Sequence, residues 1–174
     1  MKEGQKLRLL ASVVQMLDEA GSWTGRMHIQ KFLYFAQDLL GLESGYEFVL
    51  YQRGPYSFDL DADIRSLRSI GAVDITPMPP YGPSYGATRL GKVLGKRAPV
   101  TEQMVANLRA LASELGPKQA RDLELLATTL YVLNQGSQSK KAIVRRVISL
   151  KPQFSEDDAE KAIQQVRQIQ AAFS

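Results

Sequence analysis

The stretch from Gly54 to Gly91, GPYSFDLDADIRSLRSIGAVDITPMPPYGPSYGATRLG, constrains the fold more than any other part of the chain. Leu60, Ile64, Leu67 and Ile70 recur at the spacing of one helical face, which predicts a helix over about 58–70. Gly71 ends it, and a short apolar strand begins at Ala72-Val73. A Pro/Gly-rich tip from Pro77 to Pro83 follows, then a second strand over about 84–88 and a turn at Gly91. Helix, strand, tip and strand form the outline of a winged helix-turn-helix, with the hairpin as the wing.

Such an outline is usually associated with DNA, yet this helix opens with Asp59, Asp61 and Asp63. Major-groove readers place Arg, Lys, Asn or Gln near the start of the recognition helix, facing base edges and phosphates. Three carboxylates there repel a polyanion, and residues 57–70 carry a net charge of −1. If exposed, Asp59, Asp61 and Asp63 suit a basic protein partner, with Leu60, Ile64 and Leu67 buried beneath them. Duplex DNA is expected to bind weakly, without sequence preference, and to be lost between roughly 50 and 200 mM salt.

The remaining chain reads as helices around this unit. Leu7, Leu10, Val14 and Leu17 mark a helix over about 5–20, ended by Gly21. Ile29, Phe32, Leu33, Ala36, Leu39 and Leu40 mark another over about 26–40, ended by Gly41. The aromatic and β-branched run YEFVLYQ, between Gly45 and Arg53, suits a strand that Gly54-Pro55 breaks. A boundary falls near Pro99, giving a winged-helix-like domain over 1–98 and a helical region over 99–174. Helices are expected in the latter over about 101–115, 117–134, 139–149 and 155–172. The fold class is therefore mainly α with a small β component.

Chemistry is constrained mostly by what is missing. The 174 residues include no cysteine, which excludes disulfides, thiolate nucleophiles and cysteine-bound zinc. Gly91-Lys92-Val93-Leu94-Gly95-Lys96-Arg97 departs from a phosphate loop, with three residues between its glycines and no Ser or Thr after the lysine. The Asp59–Asp61–Asp63 alternation fails as a calcium loop, because Ile64 and Ile70 stand where Gly and Glu are needed. His28 is the sole histidine, and no GxSxG elbow accompanies it, so it reads as a structural or surface residue. Trp23 reads as an anchor where the first two helices meet. Neither an enzyme, a metal nor a cofactor is expected.

The net charge of +4 is modest, with 12 basic and 10 acidic residues before position 99 and 10 and 8 after it. Two clusters are wholly basic: Arg89, Lys92, Lys96 and Arg97, and Lys140, Lys141, Arg145, Arg146 and Lys151. Of these, Arg89, Lys92, Lys140, Lys141, Arg145 and Arg146 are the candidates for nucleic-acid contact. No run approaches the roughly 20 apolar residues that cross a bilayer, and a cytoplasmic location with no membrane partner is expected.

Two motifs carry a family resemblance. HIQKFLYFAQ, from His28 to Gln37, resembles the "KLQKLLYYAQ" helix of SocA-like or Panacea-domain proteins. YQRGPYS, from Tyr51 to Ser57, resembles the turn that follows that helix. The order of GPYS, acidic helix start, Tyr-rich tip and Thr88-x-x-Gly91 is also similar to YwgA-like uncharacterised bacterial proteins. The resemblance covers about residues 26–91 and implies Gln30, Lys31, Tyr34, Gly54, Pro55 and Tyr56 as fold determinants. Gln30 and Tyr34, four apart on one face, are expected to bond the Gly54-Pro55 backbone. The resemblance implies a non-enzymatic protein-interaction module, antitoxin-like or an adaptor, whose partner is a toxin or a protease substrate. The alternative is a winged-helix DNA-binding regulator.

Overall fold

A computed structural model describes every residue except Tyr81, Ser137, Gln138 and Ser174. The fold is mainly helical with two small antiparallel sheets. Helices α1 (Glu3–Glu19) and α2 (Arg26–Leu40) lead into a hairpin of β1 (Val49–Tyr51) and β2 (Gly54–Tyr56). Helix α3 (Phe58–Ser69) precedes a second hairpin of β3 (Val73–Thr76) and β4 (Ser84–Ala87). Then come α4 (Arg89–Gly95), α5 (Glu102–Leu115), α6 (Ala120–Leu133), α7 (Lys140–Leu150) and α8 (Glu156–Ala172).

Local chemistry explains most boundaries. Ser57, Thr88, Thr101, Ser139 and Ser155 each accept a hydrogen bond from a backbone N–H in the first turn of the helix they precede. Gly41 ends α2 with φ of 62°, in the left-handed region that costs glycine nothing. Of the expected α3 stripe, Leu60 and Leu67 are fully covered and Ile64 nearly so, but Ile70, at the C-cap, is 53% exposed. One apolar core joins residues from both sides of position 98, from Leu9 and Phe32 to Leu126 and Val166.

Two elements differ from expectation. The strand expected across Gly45 to Arg53 shortens to three residues, and Gly54-Pro55 does not end it. Those residues begin its partner, with Leu50 opposite Pro55 and Tyr51 opposite Gly54. The expected turn at Gly91 lies inside α4, whose Gly91 and Gly95 are its two buried residues. A Cβ at Gly91 would fall 2.1 Å from the Ala72 carbonyl oxygen, and one at Gly95 would fall 3.0 Å from the Ser12 backbone. The glycines that look like part of a phosphate loop therefore let α4 lie directly against α1 and the start of β3. Helix α3 and the β3–β4 hairpin follow the expected order, with the register Val73 to Ala87 through Thr76 to Ser84. The tip includes Tyr81, which lies outside the described residues.

Candidate functional site

The motif residues converge beneath the first hairpin. Gln30 on α2 bonds Ser57 twice: its Nε2 donates to the Ser57 carbonyl at 2.9 Å, and its Oε1 accepts from the Ser57 N–H at 2.9 Å. The side chain thus satisfies the backbone where β2 passes into α3. Lys31, fully buried, donates from Nζ to the Pro55 carbonyl at 2.7 Å. From the far side, Lys151 donates to the Gln52 carbonyl at 2.6 Å and pairs with Glu124 Oε1 at 2.6 Å. Gln153 Nε2 also donates to that carboxylate oxygen. Two amines therefore clamp the hairpin turn, each holding one carbonyl.

Gly54 fits this clamp for steric reasons. Its φ is +83°, and a Cβ there would stand 2.8 Å from Thr128 Oγ1 and 3.4 Å from the Glu124 carbonyl oxygen. Helix α6 thus presses directly on the hairpin backbone. Burial is the main cause that lowers the Lys31 pKa to about 7; the positive charges of Lys151 and Arg53 add to it, and Glu124 opposes it. A cavity of about 410 Å³ lined by Gln52, Arg53, Arg121, Glu124 and Gln153 opens beside the clamp.

Above the clamp the hairpin presents aromatic side chains outward. The Tyr51, Tyr56 and Phe58 rings pack on one another with centroids 5.1–5.8 Å apart. Phe58 is nevertheless 57% exposed, and Tyr51 and Val49 are each 49% exposed. The antiparallel register explains the grouping, because Val49 lies opposite Tyr56 and the Tyr51 side chain sits diagonal to it on the same face. Phe58, the first residue of α3, completes the triad.

An ionic group borders these rings. Asp61 is only 6% exposed, with Oδ1 3.1 Å from Arg26 Nε and Oδ2 held by Arg65. The Arg26 contact lacks aligned hydrogen-bond geometry, which leaves Asp61 Oδ1 ionically paired without a directed N–H. Burial, followed by the Asp61 charge, raises the Tyr56 hydroxyl pKa above its ordinary value. Two half-exposed guanidinium groups thus surround one carboxylate at the edge of the aromatic patch.

This arrangement corrects the expected acidic face. Asp59 is exposed, but Asp61 is buried by its two arginines, and half-buried Asp63 accepts a hydrogen bond from the Tyr46 hydroxyl at 2.8 Å. The helical turn separates the three: Asp61 shares a face with Arg65, and Asp59 shares one with Asp63. They do not form one carboxylate surface.

Tyr34 also departs from expectation. Its ring meets Phe35 and Phe48 edge-on, at 6.4 and 5.4 Å, and the turn is held by its neighbour Lys31 instead. His28 is buried, with Nε2 donating to the Lys118 carbonyl at 2.8 Å and Nδ1 without a partner; burial lowers its pKa. Trp23 is half-buried rather than enclosed.

The basic candidates fall on separate elements. Arg89 and Lys92 are exposed on α4, whereas Lys140, Lys141, Arg145 and Arg146 are exposed on α7. Lys140 pairs with Glu160 on α8, and Lys151 belongs to the clamp. Among the described residues, no group of three or more His, Cys, Asp or Glu side chains is placed to hold a metal. No described helix is long and apolar enough to cross a membrane.

Sequence reasoning missed Tyr51 and Phe58 as surface residues, Arg26 as the partner of Asp61, and Lys151 with Glu124 as half of the clamp. A usable signal existed for the aromatics alone, in the period-two pattern Val49, Tyr51 and Tyr56, Phe58. No protein-family model matches the chain, and no curated protein matches it.

Proposed function

We propose that this protein is a non-enzymatic, cytoplasmic interaction module that holds another polypeptide, in the manner of an antitoxin or an adaptor. The observation that carries this reading is the exposed Tyr51–Tyr56–Phe58 patch mounted on a buried, hydrogen-bonded clamp. Large, rigid aromatic side chains of limited rotamer freedom are the usual anchors of protein interfaces. Leaving them in water is costly for a lone monomer, and a contiguous aromatic group signals a covered surface.

The edge chemistry narrows the partner. With Asp61 already neutralised, Arg26 and Arg65 leave excess positive charge beside the rings, so a partner with apolar side chains flanked by a carboxylate fits this face. A groove-reading DNA regulator has less support, because Arg65 is engaged with Asp61 and the first turn of α3 still carries Asp59. The same clamp and turn carry the family resemblance, since Gln30, Lys31, Gly54 and Pro55 are the residues that position the patch.

Photocrosslinking in the native cell tests the reading. A benzoyl-phenylalanine at position 58 should trap one dominant polypeptide, whereas the same group at exposed Ser66 on α3 should trap none. A featureless adduct pattern at position 58 that matches the Ser66 control would refute it.

A further inference from the structure

The second notable surface lies on α4, away from the hairpin clamp. From Ile75 to Thr101 the chain contains no aspartate or glutamate, yet it contains Arg89, Lys92, Lys96 and Arg97. All four are exposed, and none forms an ion pair among the described residues. Elsewhere, Arg65, Arg109, Lys118, Lys140 and Lys161 each pair with a carboxylate.

Packing fixes the direction in which this charge points. Gly91 and Gly95 form the buried edge of α4 against Ala72 and Ser12, and neither tolerates a Cβ without displacement. At 3.6 residues per turn, Val93 stands opposite that edge. Arg89 and Lys92 lie on one flank of Val93 and Leu90 on the other, and exposed Lys96 and Arg97 follow in the turn after α4. The cations therefore face outward on a helix that cannot retreat from them. Leu90 and Val93 are 43% and 47% exposed, a small apolar area beside four full charges.

We infer that the outward face of α4 binds the phosphate backbone of a nucleic acid, without reading base sequence. Charge complementarity favours this occupant: Arg89 and Lys92 on α4, with Lys96 and Arg97 in the turn that follows it, match a row of phosphates, and their counterions are released on contact. An anionic bilayer fits less well, because membrane-surface helices bury a broad face of bulky apolar residues, and here only two half-covered side chains are offered. The α3 aspartates do not oppose this mode, since α4 approaches the backbone from its own face and needs no groove.

Fluorescence anisotropy with a labelled mixed-sequence duplex of about 20 base pairs tests the inference, using the full chain at about 25 to 200 mM salt. Four phosphate contacts predict a slope of log affinity against log salt of about −3.6, or roughly a hundredfold loss between about 50 and 200 mM. The quadruple variant Arg89→Gln, Lys92→Gln, Lys96→Gln, Arg97→Gln should lose at least about tenfold in affinity at low salt and most of that slope. Its circular dichroism and melting temperature should stay at the wild-type values, because these side chains hold nothing in place. The control variant Arg121→Gln, Lys161→Gln, Arg167→Gln removes three exposed charges from α6 and α8 and should leave affinity within about twofold. Equal losses in both variants would overturn the inference in favour of net charge alone. Absence of duplex binding at low salt would overturn it outright. Binding to phosphatidylglycerol vesicles that outcompetes the duplex would assign the face to lipid instead.

Discussion

Replacing Lys31 with methionine tests the hairpin clamp through its effect on pH dependence. The amine is fully buried, and its pKa falls to about 7 from the 10.5 of a free lysine. At 1.36 kcal/mol per unit, placing the charged form there costs roughly 5 kcal/mol. Because the folded pKa is depressed, the unfolded chain binds the proton more tightly between about pH 7 and about pH 10.5. Stability therefore rises with pH across that window, and the full cost is present below it. Between pH 7 and pH 9 the wild type should gain about 2 kcal/mol in urea unfolding followed by circular dichroism.

Lys31→Met removes the titrating group but leaves the Pro55 carbonyl without its donor, a cost of about 1–3 kcal/mol. The variant should be the more stable protein at pH 7, and its stability should be flat from pH 7 to pH 9. His28 does not confuse the result: burial depresses its pKa as well, so its contribution rises with pH only below about 6.5. The raised tyrosine pKa values of Tyr34 and Tyr46 act only above about pH 10. A wild-type profile that is flat over this range, or a slope that survives in Lys31→Met, would refute the clamp as described.

Gly54→Ala combines a positive φ with a contact to Thr128 and should lower stability by about 1–3 kcal/mol in thermal unfolding, so a loss below about 0.5 kcal/mol would contradict the packing of α6 on the turn. Gly95→Ala normally gains about 1 kcal/mol in a helix, yet here the close Ser12 backbone should reverse the sign. Asp61→Lys should cost about 2 kcal/mol or more, because it buries a third positive group between Arg26 and Arg65. Asp59→Lys should stay within about 1 kcal/mol, the scale of a helix-dipole contact, and equal effects at the two aspartates would restore the single acidic face.

Much of the fold was legible because helices announce themselves locally. The stripe Leu60, Ile64 and Leu67 and the stop at Gly41 each depend on neighbours within a turn or two. The first hairpin was not legible for a related reason: Gly54 and Pro55 read locally as a break. Pro55 is tolerated in β2 of a two-stranded sheet, and the need for glycine at 54 comes from its positive φ and from Thr128 and Glu124, far away in sequence. Gln30 was expected to bond the Gly54-Pro55 backbone, but both of its side-chain bonds go to Ser57, where β2 passes into α3. Lys31 holds the turn instead, because the helix aims position 31 rather than 34 at the Pro55 carbonyl. The burial of Asp61 depends on Arg26, 35 positions earlier, and no spacing rule links the two. Alternating aspartates look alike in sequence and diverge only when a helix distributes them over different faces.

In the proposed function the Tyr51–Tyr56–Phe58 patch is the partner surface. Its most direct test is the dissociation constant of the polypeptide trapped at position 58, measured by calorimetry against wild type and against Tyr51→Ser, Phe58→Ser. Two hot-spot aromatics of about 2 kcal/mol each predict a loss of several hundredfold, with little change in melting temperature because both side chains are half exposed. An affinity within about threefold of wild type, in a variant that melts normally, would contradict the claim.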